Sequence, residues 1–411
     1  MVPEPRFWMK VLAALLVVGV LPIGLVSAVS VTSTRDELTE LGVTNIRQRA
    51  LSTASAIDAY LGSRLGDILL VARIPDVVRH ATYPLDPDVK NAARDALRAA
   101  AARSAEYESV AFVDLAGKIT TASILTDEGT SIAFRTYFLE AKAGRTHISD
   151  PSYSVITNRP ALFFSAPVQD AAGQVLGVVR TRVNLAAIWD LVEADADSVG
   201  RGSHGALLDD HGIRLAVSET RGQRQLAETL IYRPIAPIEP EIAKKLAADR
   251  RFGQKTPEQL ELDPIPALKA TLDDLKRTGL SNGGFAYDAA GEQRGVAARL
   301  ATKPWAYVLA VPLATYTKAA DDASTNATLM LAVGVLLAFV IGVLLTRSLV
   351  RPLRRLVRQA TSVSTGDVDL EVARFDTRHG DDITREVASA FDRLLNALRF
   401  YALADDPEPR R

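Results

Sequence analysis

The sequence predicts an α+β fold that two helices anchor in a membrane, and three observations support this prediction. Two uncharged apolar runs, residues 11–31 and 327–345, each supply about the 20 residues that a helix needs to cross a bilayer. Apolar or small residues continue at helical spacing after the first run, and strand–turn–strand patterns fill the region between the runs. The chain should therefore pass through the membrane twice.

Basic residues beside these runs predict the orientation of the chain. Arg6 and Lys10 precede the first run, and several arginines follow the second, beginning with Arg347. Because Lys and Arg are retained on the cytoplasmic side, both ends should be cytoplasmic. The expected segments are a cytoplasmic N-terminus (1–10), two transmembrane helices (11–31 and 327–346) and an extracytoplasmic region (32–326).

The first apolar run has an alternative interpretation as a cleaved signal peptide. Its basic start and the small residues 26–28 would suit such a peptide. The run is longer than the usual signal core of roughly 7 to 15 residues, and helical spacing continues beyond it. These features favour a retained membrane anchor.

One long helix is predicted over residues 35–72, immediately after the first run. Its apolar or small residues recur every three or four positions, as a helix with one buried stripe requires. The stripe consists of Val43, Ile46, Ala50, Ala54, Ile57, Leu61, Leu65 and Ile68. A second helix is expected at residues 86–104, which are rich in Ala, Arg and Leu.

Two antiparallel sheet modules are predicted in the extracytoplasmic region, both carried by the long helix. In the distal module, at about residues 76–198, a tight turn at 114–117 joins two strands, and Gly117 supplies its permissive backbone. The proximal module, at about residues 199–316, starts with the same pattern and contains a long insertion at 220–279.

The extracytoplasmic region resembles the double Cache domains, which are the sensors of bacterial transmembrane receptors. The likeness is carried in the distal half by residues 134–138 (FRTYF), 144–149 (GRTHIS), Pro151 and 166–168 (APV). In the proximal half, the strand at 305–311 is similar to the closing strand of that family. The resemblance implies a PAS-like sensor in the periplasm or outside the cell, on a protein of the bacterial inner membrane.

Residues 347–400 resemble a HAMP domain, which is a parallel four-helix bundle made by two chains. Its first helix would present Leu349, Leu353, Leu356, Ala360 and Val363, and its second Ile383, Val387, Phe391, Leu394 and Leu398. The resemblance implies a homodimer, because neither stripe is wide enough for a stable monomer. The alternative is a generic amphipathic hairpin. The polar tail, 401–411, is too short for a folded output domain.

The resemblance also implies a ligand site in the distal module. In the amino-acid-sensing members of the family, an Arg-Trp-Tyr stretch and a later Tyr serve the ligand carboxylate, and an Asp on a central strand serves its amine. This sequence keeps Arg135 and Tyr137 with Thr136 between them, and Tyr153 falls near the later Tyr. Arg182 stands where the Asp would lie.

The presence of Arg182 reverses the charge expected to face the ligand. A guanidinium repels an ammonium group but pairs strongly with a carboxylate. We therefore expect a small anionic ligand, such as a mono- or dicarboxylate, bound by Arg135 and Arg182 with Tyr137 and Tyr153 as hydroxyl partners. The alternative is that Arg182 points outward or pairs with an acidic neighbour.

Composition argues against several other classes of protein. The chain has no Cys, which excludes disulfides and thiolate metal sites, and its five His residues are scattered. With 48 Lys and Arg against 49 Asp and Glu, no basic footprint for nucleic acid stands out. No nucleophile, metal cluster or acid–base constellation emerges. We therefore expect no enzyme activity, no catalytic residues, no metal and no cofactor.

These features together predict a signal-transduction receptor. Its partners should be a small-molecule ligand, the lipid bilayer, a second copy of the chain and a separate cytoplasmic output protein, such as a kinase, cyclase, phosphatase or chemotaxis component. One alternative is a solute-binding or scaffold membrane protein that does not switch. Another is an output-less fragment of a histidine kinase, cyclase or chemotaxis receptor.

Overall fold

The computed structural model describes residues 13–14, 16–199, 202–218, 230–289, 291–345, 347–348, 357–358, 361 and 382–404. These residues belong to two compact units. One unit is Glu37–Thr317, and the other combines Met1–Asp36 with Lys318–Arg411.

The helices and strands follow one another along the chain in the order of their first residues. The helices are α1 (Leu21–Val71), α2 (Pro75–Thr82), α3 (Pro87–Ala101), α4 (Thr136–Lys142), α5 (Ala186–Val199), α6 (Pro240–Ala248), α7 (Pro266–Thr278), α8 (Ala314–Leu345) and α9 (Asp382–Ala404). The strands are β1 (Tyr107–Val113), β2 (Ile119–Ala122), β3 (His147–Ile148), β4 (Ser152–Tyr153), β5 (Pro160–Gln169), β6 (Val175–Val183), β7 (His204–Leu208), β8 (Arg214–Val217), β9 (Asn282–Asp288), β10 (Glu292–Arg299) and β11 (Ala306–Pro312).

Two helices are long and apolar enough to cross a membrane. Their most apolar stretches have mean hydropathies of 2.1, at the start of α1, and 2.7, in α8. None of the first stretch and only 11% of the second is buried inside the structure, so neither is a core helix of a soluble domain. Their exposed Leu and Val side chains suit a lipid environment. This confirms the two predicted membrane-spanning helices.

The buried stripe of α1 matches the predicted spacing. Ile46, Ala50, Ile57, Leu61 and Ile68 are fully buried. They join the largest apolar cluster of the protein, which also includes one face of each sheet. Most of the stability of such a helix comes from this packing, because propensity alone contributes little.

Each module contains one antiparallel sheet, and the two sheets have the same strand order. The distal order is β2-β1-β6-β5-β3, with β4 also paired to β5, and the proximal order is β8-β7-β11-β10-β9. Counted from the first hairpin, β6 and β11 are therefore equivalent central strands. This confirms the two predicted antiparallel modules.

Asp and Gly determine the first hairpin turn of each module. In the distal turn, Asp114 Oδ1 accepts hydrogen bonds from the N–H groups of Ala116 and Lys118, at 3.0 and 2.9 Å. Gly117 follows with a φ of 85°, which other residues adopt only under strain. Asp209 and Gly212 repeat this arrangement in the proximal module.

Each sheet has a second buried face, on the side away from the α1 cluster. In the distal module, α4 covers a cluster that includes Ala111, Phe163 and Val178. In the proximal module, α7 covers a cluster that includes Phe285 and Val308. These two second faces are where the modules differ most.

The structure also contains elements that the sequence did not predict. Pro75 begins the helix α2, where we expected only an end to α1, and α4 lies within a segment that had no assigned structure. Within the HAMP segment, Leu349, Leu353, Leu356, Ala360 and Val363 lie outside the described residues. In α9 of a single chain, Leu395 is buried and Leu394 is exposed.

Candidate functional site

The second face of the distal sheet carries charged side chains on its central strand. Residues two apart on a strand point to the same face, and in β6 these are Val178, Arg180 and Arg182. Val178 belongs to the α4-side cluster, whereas Val179 and Val183 belong to the α1 cluster. Arg180 and Arg182 therefore lie on the α4 side, where they are 1% and 3% exposed.

Asp127 neutralises part of this buried charge. It ends a short 3₁₀ turn, Leu125–Asp127, and is fully buried. Its Oδ2 accepts hydrogen bonds from Arg180 Nη2 at 2.7 Å, Arg182 Nη1 at 3.1 Å and Ser109 Oγ at 2.6 Å. One carboxylate thus bridges two guanidinium groups.

Titration behaviour in this cluster reflects burial and charge pairing. Burial alone would raise the pKa of Asp127, but Arg180, Ser109 and Arg182 together lower it. Burial lowers the pKa of Arg180 from its usual value, although Asp127 and Tyr137 oppose that change. Burial also raises the pKa of Tyr137, so this phenol remains protonated at neutral pH.

Several polar atoms of this cluster lack hydrogen-bond partners within the structure. They are Nε and Nη1 of Arg180, Nε of Arg135 and Oδ1 of Asp127. Three are donors and one is an acceptor. Because an unsatisfied buried polar group costs about 1–3 kcal/mol, the site favours an occupant that supplies more acceptors than donors.

Arg135 is buried at the start of α4 and connects three chain segments. Its Nη1 donates to the carbonyl oxygen of Asp249 at 2.5 Å, and its Nη2 donates to the carbonyl oxygen of Tyr153 at 2.6 Å. The Asp249 carboxylate lies 4.0 Å from the same Nη1. Arg135 is thus tied to the proximal insertion.

The two predicted tyrosines occupy different surroundings. Tyr137 is buried in α4 and stacks on Phe163 of β5, with ring centroids 4.8 Å apart. Tyr153 is half-buried in β4, and its ring lies against Gly253 and 5.9 Å from the ring of Tyr232. Tyr137 therefore belongs to the α4-side cluster, and Tyr153 lies where the insertion meets the distal module.

Arg182 pairs with acidic neighbours, as the alternative interpretation of the sequence allowed. Besides its bond to Asp127, its Nε donates to Glu108 Oε2 at 3.0 Å. It contributes positive charge to the site, but both edges of its guanidinium already have carboxylate partners.

Sequence reasoning missed Arg180, Asp127 and Asp249. Arg180 had a usable signal, because it lies two residues before Arg182 and shares its strand face. Asp127 and Asp249 had none, since both come from irregular segments distant in sequence from the strand and helix that they contact.

The second face of the proximal sheet is apolar and contains a cavity. Its volume is about 280 Å³, and its walls include Ala206, Leu268, Phe285, Val308 and Ala310. Its rim includes the ion pair of the partly buried Arg214 and the exposed Asp263, with nitrogen and oxygen 2.7 Å apart. Among the described residues, no group of three or more His, Asp or Glu side chains is placed to hold a metal ion.

The segment that follows the second apolar helix matches a known family in sequence. The HAMP domain model matches residues 344–400. No curated protein matches the chain.

Solved structures resemble the region that contains the two sheets. The sensor domain of the V. cholerae histidine kinase DctB has a TM-score of 0.52 and 13% identity, with 66% of this chain and 96% of that domain covered. Two other similar structures are ligand-binding domains of chemoreceptors. PctC of Pseudomonas aeruginosa PAO1, in complex with GABA, has a TM-score of 0.44 and 17% identity over 65% of this chain and 99% of that one. Tlp3 of Campylobacter jejuni, with isoleucine bound, has a TM-score of 0.46 and 12% identity, with 69% of this chain and 97% of that one covered.

These comparisons confirm the predicted architecture. The region between the two apolar helices has the fold of a double Cache sensor, and a HAMP domain follows the second helix. These are the parts that the sequence predicted for a transmembrane sensory receptor.

Proposed function

We propose that the receptor binds a small anionic ligand on the α4 side of its distal module and signals through HAMP to a separate cytoplasmic protein. The observation that carries the proposal is the charge of the site. Arg135, Arg180 and Arg182 are each at most 3% exposed. Of the carboxylates that pair with them, Asp127 is fully buried, whereas Glu108 and Asp249 are partly exposed, so the fully buried groups carry an excess of positive charge. An added carboxylate would balance this excess.

The unpartnered donors support the same ligand class. Nε and Nη1 of Arg180 lie on either side of Nη2, which donates to Asp127, and each has an N–H that can donate to a ligand oxygen. In this proposal Arg180 is the main anion ligand, and Arg182 contributes charge while it holds Asp127 and Glu108. Arg135 supplies Nε, and Tyr137 supplies a protonated hydroxyl in the same cluster. Tyr153 is the remaining proposed ligand contact and lies where the insertion meets the distal module.

Titration of the full-length receptor in nanodiscs tests the ligand class. Succinate and acetate should bind, and alanine, whose ammonium group would face buried arginines, should bind more weakly. Arg180→Gln and Arg135→Ala should each weaken carboxylate binding about ten- to a hundredfold, because each removes a charge-assisted hydrogen bond. Arg98→Gln, which removes an exposed positive charge on α3, should bind like wild type.

Two outcomes would contradict this assignment. One is a receptor that binds zwitterionic amino acids but none of the simple carboxylates. The other is carboxylate affinity that is unchanged in both Arg180→Gln and Arg135→Ala, with both variants folded by circular dichroism.

We further propose that the receptor is a parallel homodimer with both termini in the cytoplasm. In a single chain Leu394 is 60% exposed, although it belongs to the apolar stripe of α9, and a second copy would cover it. Because the chain has no Cys, Leu394→Cys can be oxidised in membranes without background. It should cross-link between chains much faster than Arg393→Cys, and equal rates would contradict the proposed bundle.

A further inference from the structure

The proximal insertion reaches into the distal module at the candidate ligand site. Residues 240–253, which comprise α6 and the turn after it, form a segment that we name the latch. The Asp249 carboxylate accepts hydrogen bonds from the N–H and the hydroxyl of Thr136, at 3.0 and 3.3 Å. The carbonyl oxygen of Asp249 accepts the bond from Arg135, and that of Arg251 accepts one from the N–H of Tyr153, at 3.2 Å.

Charge and packing reinforce these bonds. Asp249 follows the last residue of α6, where the helix dipole places partial negative charge, and Arg135 lies at that end. Two guanidinium groups lie over the Phe134 ring, with Arg135 Cζ at 5.0 Å and Arg250 Cζ at 5.2 Å from its centroid. The latch therefore meets the distal module through several bonds centred on Arg135.

The next residues of the latch connect this contact to the proximal sheet. Arg251 is buried, and its Nη1 donates to Asp150 of the distal module at 3.3 Å. Its Nη2 lies 2.7 Å from Asp209 Oδ2, in the β7–β8 turn of the proximal module. Asp209 is itself buried, so this ion pair tolerates little displacement before a charge is left unpaired.

We propose that Asp249 is a tethered counter-charge for Arg135, which an anionic ligand displaces, and that its displacement moves the latch and transmits binding to the proximal module through Arg251. The proposal rests on the anionic ligand of the proposed function. A ligand carboxylate at Arg135 would be repelled by the Asp249 carboxylate, which lies 4.0 Å from Nη1. Ligand binding and latch docking therefore compete, and this competition couples the two modules.

Ligand affinity gives the first test. If the docked latch blocks the site in a fraction of the molecules, the apparent affinity for the ligand falls by that fraction. Asp249→Asn keeps an oxygen for the Thr136 N–H but removes the charge. In nanodiscs the full-length variant should bind succinate about tenfold more tightly than wild type. A residue that only supported the fold would instead weaken binding. The matched control is Glu241→Gln, which removes an exposed carboxylate of α6 that pairs with Lys244. It should leave the affinity unchanged.

Hydrogen exchange gives a second test that needs no ligand. In Asp249→Asn, exchange should accelerate about tenfold at residues 136–139, at the contact, and also at 209–213, in the proximal turn. Glu241→Gln should change neither segment. Acceleration confined to residues 136–139 would overturn the transmission step, and succinate affinity in Asp249→Asn at or below that of wild type would overturn the competition.

The two tests separate this proposal from the proposed function. If neither wild type nor Asp249→Asn binds succinate or acetate, the anionic ligand class is wrong, and the competition falls with it. Exchange at 209–213 then decides alone whether the latch connects the modules. If wild type binds succinate but Asp249→Asn binds it no more tightly, the ligand class stands and the tethered counter-charge is wrong.

Discussion

The distal and proximal modules share a strand order but differ in the chemistry of their second faces. On the equivalent central strands, the distal β6 carries Arg180 and Arg182, whereas the proximal β11 carries Val308 and Ala310 on the corresponding side. The distal face holds an ion cluster around Asp127, and the proximal face lines a cavity of about 280 Å³ whose wall on the sheet side is apolar and whose rim is polar. One topology therefore supports a charged central strand in one module and an apolar one in the other.

Under the proposed function, this difference assigns ligand specificity to the second face of the distal sheet. Both sheets use their first face to pack on α1, so that face must be apolar in each. The second face is free of this requirement, and a few substitutions on one strand can change its charge. The residues that pack on α1 and the residues that set the charge of the second face therefore alternate along the same strands.

The largest expected effect comes from breaking the distal ion cluster. Asp127→Asn would leave Arg180 and Arg182 buried without their shared carboxylate, which should cost about 3–5 kcal/mol of unfolding free energy. Denaturant unfolding of the full-length receptor, followed by tryptophan fluorescence, measures the loss. A loss below about 1 kcal/mol would mean that the cluster is hydrated rather than buried.

A combined variant sharpens this test by making the second face of the distal sheet apolar, like that of the proximal sheet. Asp127→Leu with Arg180→Val and Arg182→Ala replaces the three linked buried charges of this cluster by apolar residues. Such replacements are often neutral or stabilising, so most of the stability lost in Asp127→Asn should return, without carboxylate binding. Retained succinate binding in this variant would contradict the location of the site.

The equivalent hairpin turns should differ in their tolerance of a Cβ atom. In Gly117→Ala the new Cβ would lie 2.5 Å from the Cα of Ala133, and φ is already 85°, so we expect a loss of about 3 kcal/mol. In Gly212→Ala it would meet Cγ1 of Ile235 at 2.9 Å, and a side chain can move more easily than a backbone. Gly173→Ala, with nothing within 4 Å, should lose about 1 kcal/mol from φ alone. If denaturant unfolding shows the same loss of stability in all three variants, the backbone conformation of the glycine, rather than the atoms that the new Cβ meets, determines the loss.

Acid should weaken the junction between the modules through Asp150. Burial alone would raise the pKa of this carboxyl, but Arg251 and Lys303 outweigh burial and lower it from 3.8 to about 2. A carboxylate whose pKa is lower in the folded state stabilises the fold above its unfolded pKa, and this stabilisation is lost as pH falls through the folded pKa. The loss should therefore occur between about pH 4 and pH 2. It should amount to about 2 kcal/mol.

Comparison with Asp150→Asn isolates this contribution. The variant should be less stable than wild type at pH 6, and the difference should shrink as pH falls toward 2. A stability difference that stays constant between pH 6 and pH 2.5 would show that Asp150 acts by hydrogen bonding alone, for example to Trp305 Nε1, 2.8 Å from its Oδ1.

The smallest effect is expected at the rim of the proximal cavity. Asp263→Asn removes an exposed partner of Arg214, and such ion pairs contribute less than about 1 kcal/mol. Succinate affinity should not change, because this carboxylate belongs to the other module. An affinity change above threefold would mean that the two second faces are coupled at this rim.

Much of the architecture could be predicted from local sequence, because periodicity and turn chemistry are local properties. The stripe from Ile46 to Ile68 has the spacing of one buried helix face, and Gly117 occupies a backbone conformation that its neighbours in the turn require. The apolar runs predicted two membrane helices, and their lengths alone were sufficient. Arg135, Tyr137 and Arg182 could be named because a family resemblance points to them. Their roles as ligand contacts remain proposals.

Only the tertiary structure decided which charges meet. Asp127 lies 53 residues before Arg180, and Asp249 lies 114 residues after Arg135, yet each pair is in contact. No local pattern encodes such pairs, because they depend on how separate segments pack around a sheet. For the same reason the sequence left open whether Arg182 faces a ligand or pairs with an acidic neighbour, and the fold places Asp127 and Glu108 against it. Secondary structure follows from neighbours along the chain, and the electrostatics of the site follow from neighbours in space.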